Sequence, residues 1–261
     1  DWDAPAGHDP RVDRYTCGRQ NWFPWWKEEH DAARNGVIAM DMSFMSKFLV
    51  QGRDAGTFLD RLSGNSVNTA DGQITYTQWL NTDGCLEADL TVTRLRPDRF
   101  LVVATDTMHR HVETWMLRHI RQAEHVTVTD VTGAYAQLNV QGPRSREFLQ
   151  GLTSVDLSNG AFPFRAAREM DLGYARVLCV RITYLGELGY ELYIPAEQAP
   201  HAMDRILEAG PAHGLRLAGL KALASLRMAK GYRDYGHDMD NLDNVFEGGL
   251  GFAVDLKKAD F

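Results

Sequence analysis

An aspartate in the middle of a strand pattern is the first residue whose placement points to chemistry. In "NTDGCLEADLTVTRL", residues 81–95, the run Asn81–Gly84 is typical of a tight turn, and apolar and polar residues alternate after it. The alternation puts the apolar residues on one face: Leu86, Ala88, Leu90 and Val92. Asp is depleted from strands because its short carboxylate competes for backbone donors. Asp89 is therefore a candidate functional carboxylate, and a solvated strand face beside Thr91 is its structural alternative.

Four more polar side chains stand alone in otherwise apolar stretches: Tyr76, Tyr184, Glu191 and Arg227. Each has a structural alternative. Glu191 could be an edge-strand charge that blocks aggregation, and Arg227 could pair with a neighbouring helix. The two tyrosines could be core aromatics with hydrated hydroxyls. Spacing along the chain does not decide between these interpretations.

The common catalytic motifs are missing from the sequence. No Gly-x-Gly-x-x-Gly follows a strand, and "EGGLGF" at 247–252 lies in the wrong context for a dinucleotide site. His109 and His111 are two residues apart in a predicted helix, so they face different directions and predict no metal site. His237 is better interpreted as a hydrogen-bonded loop residue. No nucleophile elbow and no phosphate-binding loop occur.

Composition narrows the classes of partner. The chain has 261 residues and a net charge of −7, which disfavours nucleic acid or an anionic membrane as the main partner. Three scattered cysteines indicate a reducing compartment, the cytoplasm or the mitochondrial matrix, without a disulfide framework. No apolar run approaches the roughly 20 residues of a membrane helix, and we expect no signal peptide because no charged-then-apolar pattern is seen in the first residues. The first and last residues favour a piece of a longer protein.

An internal repeat is the most informative feature of the chain's organisation. "FLVQGRDAGTFLDRL" at 48–62 is similar to "LNVQGPRSREFLQGL" at 138–152, and Val-Gln-Gly and Phe-Leu match at the same offset. Each copy predicts a short strand, a glycine turn and a helix, followed by a hairpin and a second helix. The sequence therefore predicts a pseudo-duplicated α+β unit.

The two halves and the residues before them define a division of the chain into three segments. We predict an aromatic-rich lead segment over 1–32, a first half over 33–130 and a second half over 131–261. Glycines are expected to end three helices: Gly210 the helix after the second hairpin, and Gly36 and Gly231 two helices that flank the halves. A further helix is predicted over "TDTMHRHVETWMLRHI".

Three segments carry a family resemblance: "RITYLGELGYELYIP", "NTDGCLEADLTVTRL" and "LASLRMAKGYRDYGHDMD". They resemble the folate-binding domain of the glycine-cleavage aminomethyltransferase (T-protein) family. From about Gly18 onward, the sequence is most similar to the carboxy-terminal folate domain of dimethylglycine and sarcosine dehydrogenases or oxidases. The resemblance implies an α+β fold of two ferredoxin-like halves, with the family's carboxy-terminal barrel absent from the chain.

The resemblance also implies roles for individual residues. Asp89 matches the carboxylate beside the reactive nitrogens of tetrahydrofolate, and Tyr76 a tyrosine lining the pterin site. Tyr184 and Glu191 match the pair that holds the pterin ring. Two more residues match family contacts: the helix arginine Arg227 and the apolar Met45. Two departures, Ala229 in place of Glu and Ala104 in place of Asn, put a supporting salt bridge and one folate contact in doubt.

The function implied by the resemblance is one-carbon capture. A flavin domain, expected upstream with its FAD and joined covalently or as a subunit, would oxidise an N-methylated glycine to an iminium or formaldehyde. This domain would then capture that carbon as methylene-tetrahydrofolate. Two alternatives stay open: a folate-dependent O- or S-demethylase or aminomethyltransferase on the same fold, and a non-catalytic folate- or partner-binding module.

Overall fold

The chain forms two compact units. The computed structural model describes residues 15–258. Unit 1 combines three stretches: the described residues through Met42, Ala136–Phe164 and Glu169–Tyr232. Unit 2 combines the others: Ser43–Tyr135, Arg165–Arg168 and the described residues from Arg233 onward. The linear division into 1–32, 33–130 and 131–261 stays a prediction, and its first 14 residues lie outside the described chain.

Runs of one to three strands alternate with single α-helices along the chain. The helices are α1 (Phe23–Asn35), α2 (Ala55–Leu62), α3 (His109–His119), α4 (Ser145–Gln150), α5 (Ala199–His213) and α6 (Leu220–Ala229). The strands are β1 (Ile38–Asp41), β2 (Ser46–Gln51), β3 (Gln73–Leu80), β4 (Leu86–Arg96), β5 (Arg99–Ala104), β6 (Thr127–Asp130), β7 (Tyr135–Gln141), β8 (Ala167–Leu172), β9 (Ala175–Val180), β10 (Gly189–Pro195) and β11 (Arg216–Leu217).

Unit 2 is an antiparallel sheet with helices on one face. Its five strands lie in the order β3-β4-β5-β2-β6, so β2 pairs with β5 on one side and β6 on the other. Apolar residues of β2, β3, β4 and β5 form one buried cluster with residues of α2 and α3, including Phe58, Trp79 and Met116. Burying one face of a sheet under two helices is the arrangement expected of an α+β half.

Unit 1 repeats this plan with its own sheet. Its six strands lie in the order β11-β1-β7-β10-β9-β8, so β7 sits between β1 and β10 as β2 sits between β6 and β5. The strand, glycine and helix of the first repeat copy are β2, Gly52 and α2; those of the second are β7, Gly142 and α4. The predicted α+β fold with two matched halves is confirmed.

The repeated glycine has the same structural role in both units. Gly52 has φ +132° and Gly142 has φ +119°, both in a region that side chains with a Cβ avoid. A methyl carbon on Gly52 would overlap the carbonyl oxygen of His125, and one on Gly142 would overlap the carbonyl oxygen of Gly36. The glycine therefore lets a neighbouring backbone approach the strand-to-helix turn.

Two of the three predicted helix ends are confirmed and one is wrong. Helix α1 is capped by Gly36, and α6 is followed by Gly231 in a left-handed conformation, φ +70°. Helix α5, in contrast, continues through Gly210 and ends at His213. The left-handed residue is Gly214, φ +65°, and the amide of Leu215 closes the end by donating to the Gly210 carbonyl. The predicted helix over 105–120 is present as a 3-10 turn followed by α3.

Within residues 15–258, the helices lack the combination of length and apolar character that crossing a membrane requires.

Candidate functional site

Asp89 lies on the polar face of β4, as the alternation predicts. The apolar residues before and after it are buried, and Asp89 itself is half-buried. On β3, Gln78 is its direct cross-strand partner, and the Gln78 Nε2 donates to the Asp89 Oδ1 at 2.9 Å. Tyr76 lies two residues earlier on the same face of β3, and its hydroxyl also hydrogen-bonds the Asp89 carboxylate. The structure thus brings Asp89 and Tyr76 together.

The Asp89 carboxyl is held away from water. Burial raises its pKa to about 6, the nearby charge of Asp234 acts in the same direction, and the hydrogen bonds from Tyr76 and Gln78 oppose the rise. This is not the solvated strand face that was the structural alternative. At neutral pH about a tenth of such carboxyls carry a proton. A carboxylate with a pKa this close to neutrality is suited to proton transfer.

The segment after residue 232 supplies the apolar surroundings of Tyr76 in unit 2. Tyr235, Met239 and Leu250 form a buried cluster with Leu86, and the ring of Tyr76 packs against it. The hydroxyl of Tyr235 donates to the Leu86 carbonyl at 3.2 Å. Burial, with Glu87, Asp240 and Asp89 adding to it, raises the pKa of Tyr235 to about 12. This hydroxyl therefore remains protonated near neutral pH.

Met45 lies directly before β2 in unit 2 and is half-buried. Its backbone is held in place by a buried lysine: the Lys47 Nζ donates to the Met45 carbonyl at 2.7 Å and to the Ser43 carbonyl at 3.0 Å. The position of Met45 is therefore set by this short turn.

Tyr184 lies in the connection between β9 and β10 of unit 1. A turn at Thr183 shapes this connection, because its hydroxyl accepts from the amides of Leu185 and Gly186 and donates to the Gln141 Oε1 at 3.1 Å. Gln141 is the buried glutamine of the second Val-Gln-Gly copy. The repeat therefore also positions the loop that carries Tyr184.

Arg227 is almost fully buried on the last turn of α6, with 4% of its surface exposed. Its Nη1 donates to the carbonyl of Tyr232 at 3.0 Å, and the Tyr232 amide donates back to the Arg227 carbonyl. The ring of Tyr232 stacks near that of Tyr184, with centroids 6.1 Å apart. Tyr184 and Arg227 are thus brought together through Tyr232.

Glu191 lies on β10, which is an interior strand of the six-stranded sheet, so it is not an edge-strand charge. The Tyr193 hydroxyl donates to the Glu191 Oε2 at 2.6 Å. On β7, the Asn139 Nδ2 donates to the Oε1 at 3.5 Å. The carboxylate is therefore oriented by hydrogen bonds from its own strand and from the neighbouring one.

A second cluster in unit 2 resembles a nucleophilic triad only in composition. His109 Nδ1 lies 3.0 Å from the Ser46 Oγ, and its Nε2 lies 3.0 Å from the Asp130 Oδ2. Ser46 is completely buried, and its hydroxyl donates to the Thr105 carbonyl at 3.2 Å. An inaccessible hydroxyl with its proton engaged is no nucleophile, so the cluster joins α3 to the sheet. No group of His, Cys, Asp or Glu within residues 15–258 is arranged to hold a metal ion.

Sequence reasoning missed three residues that orient the candidate site. Gln78 and Tyr193 each hydrogen-bond a predicted carboxylate, and Tyr232 joins Tyr184 to Arg227. For Tyr193 a signal was present, because it lies two residues after Glu191 in a strand and therefore shares its face. Tyr232 carries no such signal, because it follows the end of its helix.

Known proteins similar to this chain agree with the resemblance seen in its motifs. A family model described as the GCVT N-terminal domain matches residues 1–258. The chain is 37% identical over 257 residues to 4-methylaminobutanoate oxidase (formaldehyde-forming) of Paenarthrobacter nicotinovorans, covering 98% of this chain and 31% of that protein. It is 34% identical over 262 residues to mitochondrial dimethylglycine dehydrogenase of Mus musculus, covering 100% of this chain and 30% of that protein. The chain thus spans less than a third of each of these two relatives.

A solved structure extends the similarity to the fold. The glycine cleavage system aminomethyltransferase T of Bartonella henselae superposes with a TM-score of 0.78 at 24% identity, over 88% of this chain and 61% of that one. The shared arrangement is the mixed α+β fold with two sheets. The motifs, the family model and the relatives agree: the chain belongs to the aminomethyltransferase family, through its GCVT N-terminal domain.

Proposed function

We propose that the chain binds tetrahydrofolate and transfers a one-carbon unit to it. Asp89, Tyr76 and Met45 of unit 2, and Tyr184, Glu191 and Arg227 of unit 1, are the residues assigned to folate. Bound tetrahydrofolate would supply two amine nitrogens that take up the carbon as a methylene bridge. The single observation that carries the proposal is the desolvated Asp89 carboxyl, with its pKa of about 6, on a chain of this family.

The role of Asp89 is to orient the folate amines and to accept a proton as they react. An ionised carboxyl at this site accepts hydrogen bonds from N–H groups and takes the proton that leaves nitrogen when a new carbon–nitrogen bond forms. Tyr76 and Gln78 fix the direction of the carboxylate. Positioning of this kind contributes to the rate together with the base itself.

The polar residues of unit 1 fit the other parts of a pterin. Its aminopyrimidinone edge carries adjacent N–H donors, which pair with an oriented carboxylate such as Glu191 in charge-assisted hydrogen bonds. The Arg227 guanidinium offers planar donors to a ring carbonyl or a carboxylate. Tyr184 provides a flat surface for the ring, and Met45 of unit 2 an adaptable apolar contact.

The carbon is proposed to come from an N-methylated amine. Two relatives of the chain are named as a methylamino-acid oxidase that forms formaldehyde and as a dimethylglycine dehydrogenase. A flavin domain, joined covalently or as a subunit, would supply the iminium or formaldehyde by oxidising such an amine. On this proposal FAD belongs to that domain, and the protein works in the cytoplasm or in the mitochondrial matrix.

Folate-dependent capture is expected to rise with pH through about 6 and then level off, because only ionised Asp89 accepts a proton. The rate of methylene-tetrahydrofolate formation can be measured from about pH 5 to about pH 8 with formaldehyde supplied directly, so that amine oxidation does not enter. The uncatalysed rate, measured without protein, is subtracted at each pH. A protein-dependent rate that stays flat across pH 6 would contradict the assignment of Asp89.

Binding is tested by titrating the full-length protein with tetrahydrofolate under anaerobic conditions and measuring the heat. Glu191→Gln is expected to weaken binding by about 10- to 100-fold, because it removes a charged acceptor worth roughly 1.5–3 kcal/mol per hydrogen bond. Glu197→Gln, an exposed charge just beyond β10, is the matched control and should bind like the wild type. No heat from the wild-type protein would overturn the proposal.

The product then separates the proposed reaction from a demethylase on the same fold. Methylene-tetrahydrofolate formed during amine oxidation supports one-carbon capture. A methylated folate formed from an O- or S-methyl donor would instead identify the reaction as a demethylation. Binding without any product would leave a folate-binding module.

A further inference from the structure

A buried tyrosine touches the carboxylate that is proposed to hold the pterin. The Tyr193 hydroxyl donates to the Glu191 Oε2 at 2.6 Å, which is the length of a charge-assisted O–H···O bond. Asn139 donates to the other oxygen over 3.5 Å, a much weaker contact. Of these two contacts, the one from Tyr193 is therefore the stronger.

The position of the Tyr193 hydroxyl is set by the sheet. The residue is 1% exposed and pairs with Leu178 on β9, while Glu191 pairs with Val180 two positions along. Both side chains leave the same face of β10. A tyrosine has only two side-chain torsions, and here both are fixed by packing, so its hydroxyl is a rigid reference point for a flexible glutamate.

The hydroxyl also stays a donor. Burial and the Glu191 charge raise the pKa of Tyr193 well above its ordinary value, so the hydroxyl keeps its proton near neutral pH. A neutral donor orients the carboxylate and leaves its charge in place. A lysine or an arginine in the same position would cancel that charge. The contact with Tyr193 thus leaves the negative charge of the carboxylate in place.

We propose that Tyr193 is a positioning residue for folate binding, holding the Glu191 carboxylate in the orientation that accepts the paired N–H groups of a pterin. This inference rests on the proposed function. It assigns Tyr193 no contact with the ligand: its effect passes entirely through Glu191. The benefit comes from preorganisation, because a carboxylate that is already fixed loses less freedom when the ligand binds.

The test is a double-mutant cycle in the full-length protein, with tetrahydrofolate affinity measured by calorimetry. Tyr193→Phe is expected to weaken binding about tenfold. Tyr190→Phe is the matched control: it removes another buried tyrosine hydroxyl from β10, one that accepts a hydrogen bond from Arg146 instead. This variant should bind like the wild type. Adding Tyr193→Phe to Glu191→Gln should cost little further affinity, because the carboxylate to be oriented is gone.

Each outcome decides one question. Wild-type affinity in Tyr193→Phe, or effects of the two substitutions that simply add, overturns the positioning role while leaving the proposed function intact. No binding by the wild-type protein overturns the proposed function and this inference together. If Tyr193→Phe fails to fold, as shown by its circular dichroism, a fluorinated tyrosine is incorporated at position 193 instead, because it keeps the ring and the hydroxyl but changes the strength of the donor. Tetrahydrofolate affinity must then change in the wild-type background and not in the Glu191→Gln background; an unchanged affinity in both overturns the positioning role.

Discussion

Asp89→Asn is expected to reduce folate-dependent capture of the one-carbon unit by about 10²–10⁴-fold in the full-length protein. Asparagine keeps the shape of the side chain and can still accept the hydrogen bond from Gln78, but it cannot accept a proton. The measurement is the yield of methylene-tetrahydrofolate during amine oxidation at matched rates of oxidation. Asp83→Asn, an exposed position in the preceding turn, is the control. Equal yields from Asp89→Asn and wild type would refute the role of Asp89.

The same substitution is expected to stabilise the protein. The folded-state pKa of Asp89 is raised from 3.8 to about 6, so its contribution to stability is present below the unfolded-state value and is lost as pH rises through about 6. Ionised Asp89 therefore lowers the free energy of unfolding at neutral pH by about 1–3 kcal/mol. Urea unfolding should show Asp89→Asn more stable than wild type near neutral pH and similar to it near pH 4.

Gly52→Ala is expected to destabilise the fold by about 3–5 kcal/mol. The added carbon would overlap the His125 carbonyl oxygen, and φ +132° is strained for alanine even without that overlap. Backbone, not a flexible side chain, must move to relieve the contact. The free energy of unfolding in urea measures the effect, with circular dichroism as the probe.

The matched control for Gly52→Ala is Gly84→Ala in the turn before β4. Gly84 also has a positive φ, +77°, but a carbon added there meets no heavy atom within 4 Å. It should cost only the strain of a left-handed alanine, about 1–2 kcal/mol. The close approach at Gly52 is disproved if the two variants lose the same stability.

The repeat was predictable because it rests on local rules. A short apolar strand pattern, a glycine and an amphipathic helix pattern predict a strand, a turn and a helix from neighbouring residues alone, and both Val-Gln-Gly copies fold in that way. The two-residue alternation likewise predicted the buried face of β4. In both cases the signal lies within a few residues of the feature it predicts.

The neighbours of the site residues were less predictable because they depend on register and tertiary contacts. A two-residue turn at Thr82 and Asp83 would pair Tyr76 directly with Asp89. The structure instead closes the hairpin between Asn81 and Cys85, one residue later, and has a register shift between Trp79 and Leu80. Together these two changes place Gln78 opposite Asp89. The pKa of Asp89 depends in addition on Asp234, about 145 positions along the chain, which no local pattern connects to it.

The end of α5 shows the limit of reading glycine as a stop signal. Gly210 has the right residue type, but an α-helix tolerates glycine in its interior at a cost of about 1 kcal/mol. The backbone turns left-handed four residues later, at Gly214. Two glycines this close together cannot be ranked by residue type alone.

The pairing of β1 has a consequence for folding while the polypeptide is being synthesised. Ile38 pairs with Gln141 on β7 on one side and with Arg216 on β11 on the other. Strand β1 is therefore synthesised more than a hundred residues before its partner β7, and many more before its partner β11. Neither edge of β1 can pair until the corresponding strand has been made. A nascent or truncated chain that stops before Arg216 would leave one edge of this apolar strand open to pairing with another molecule.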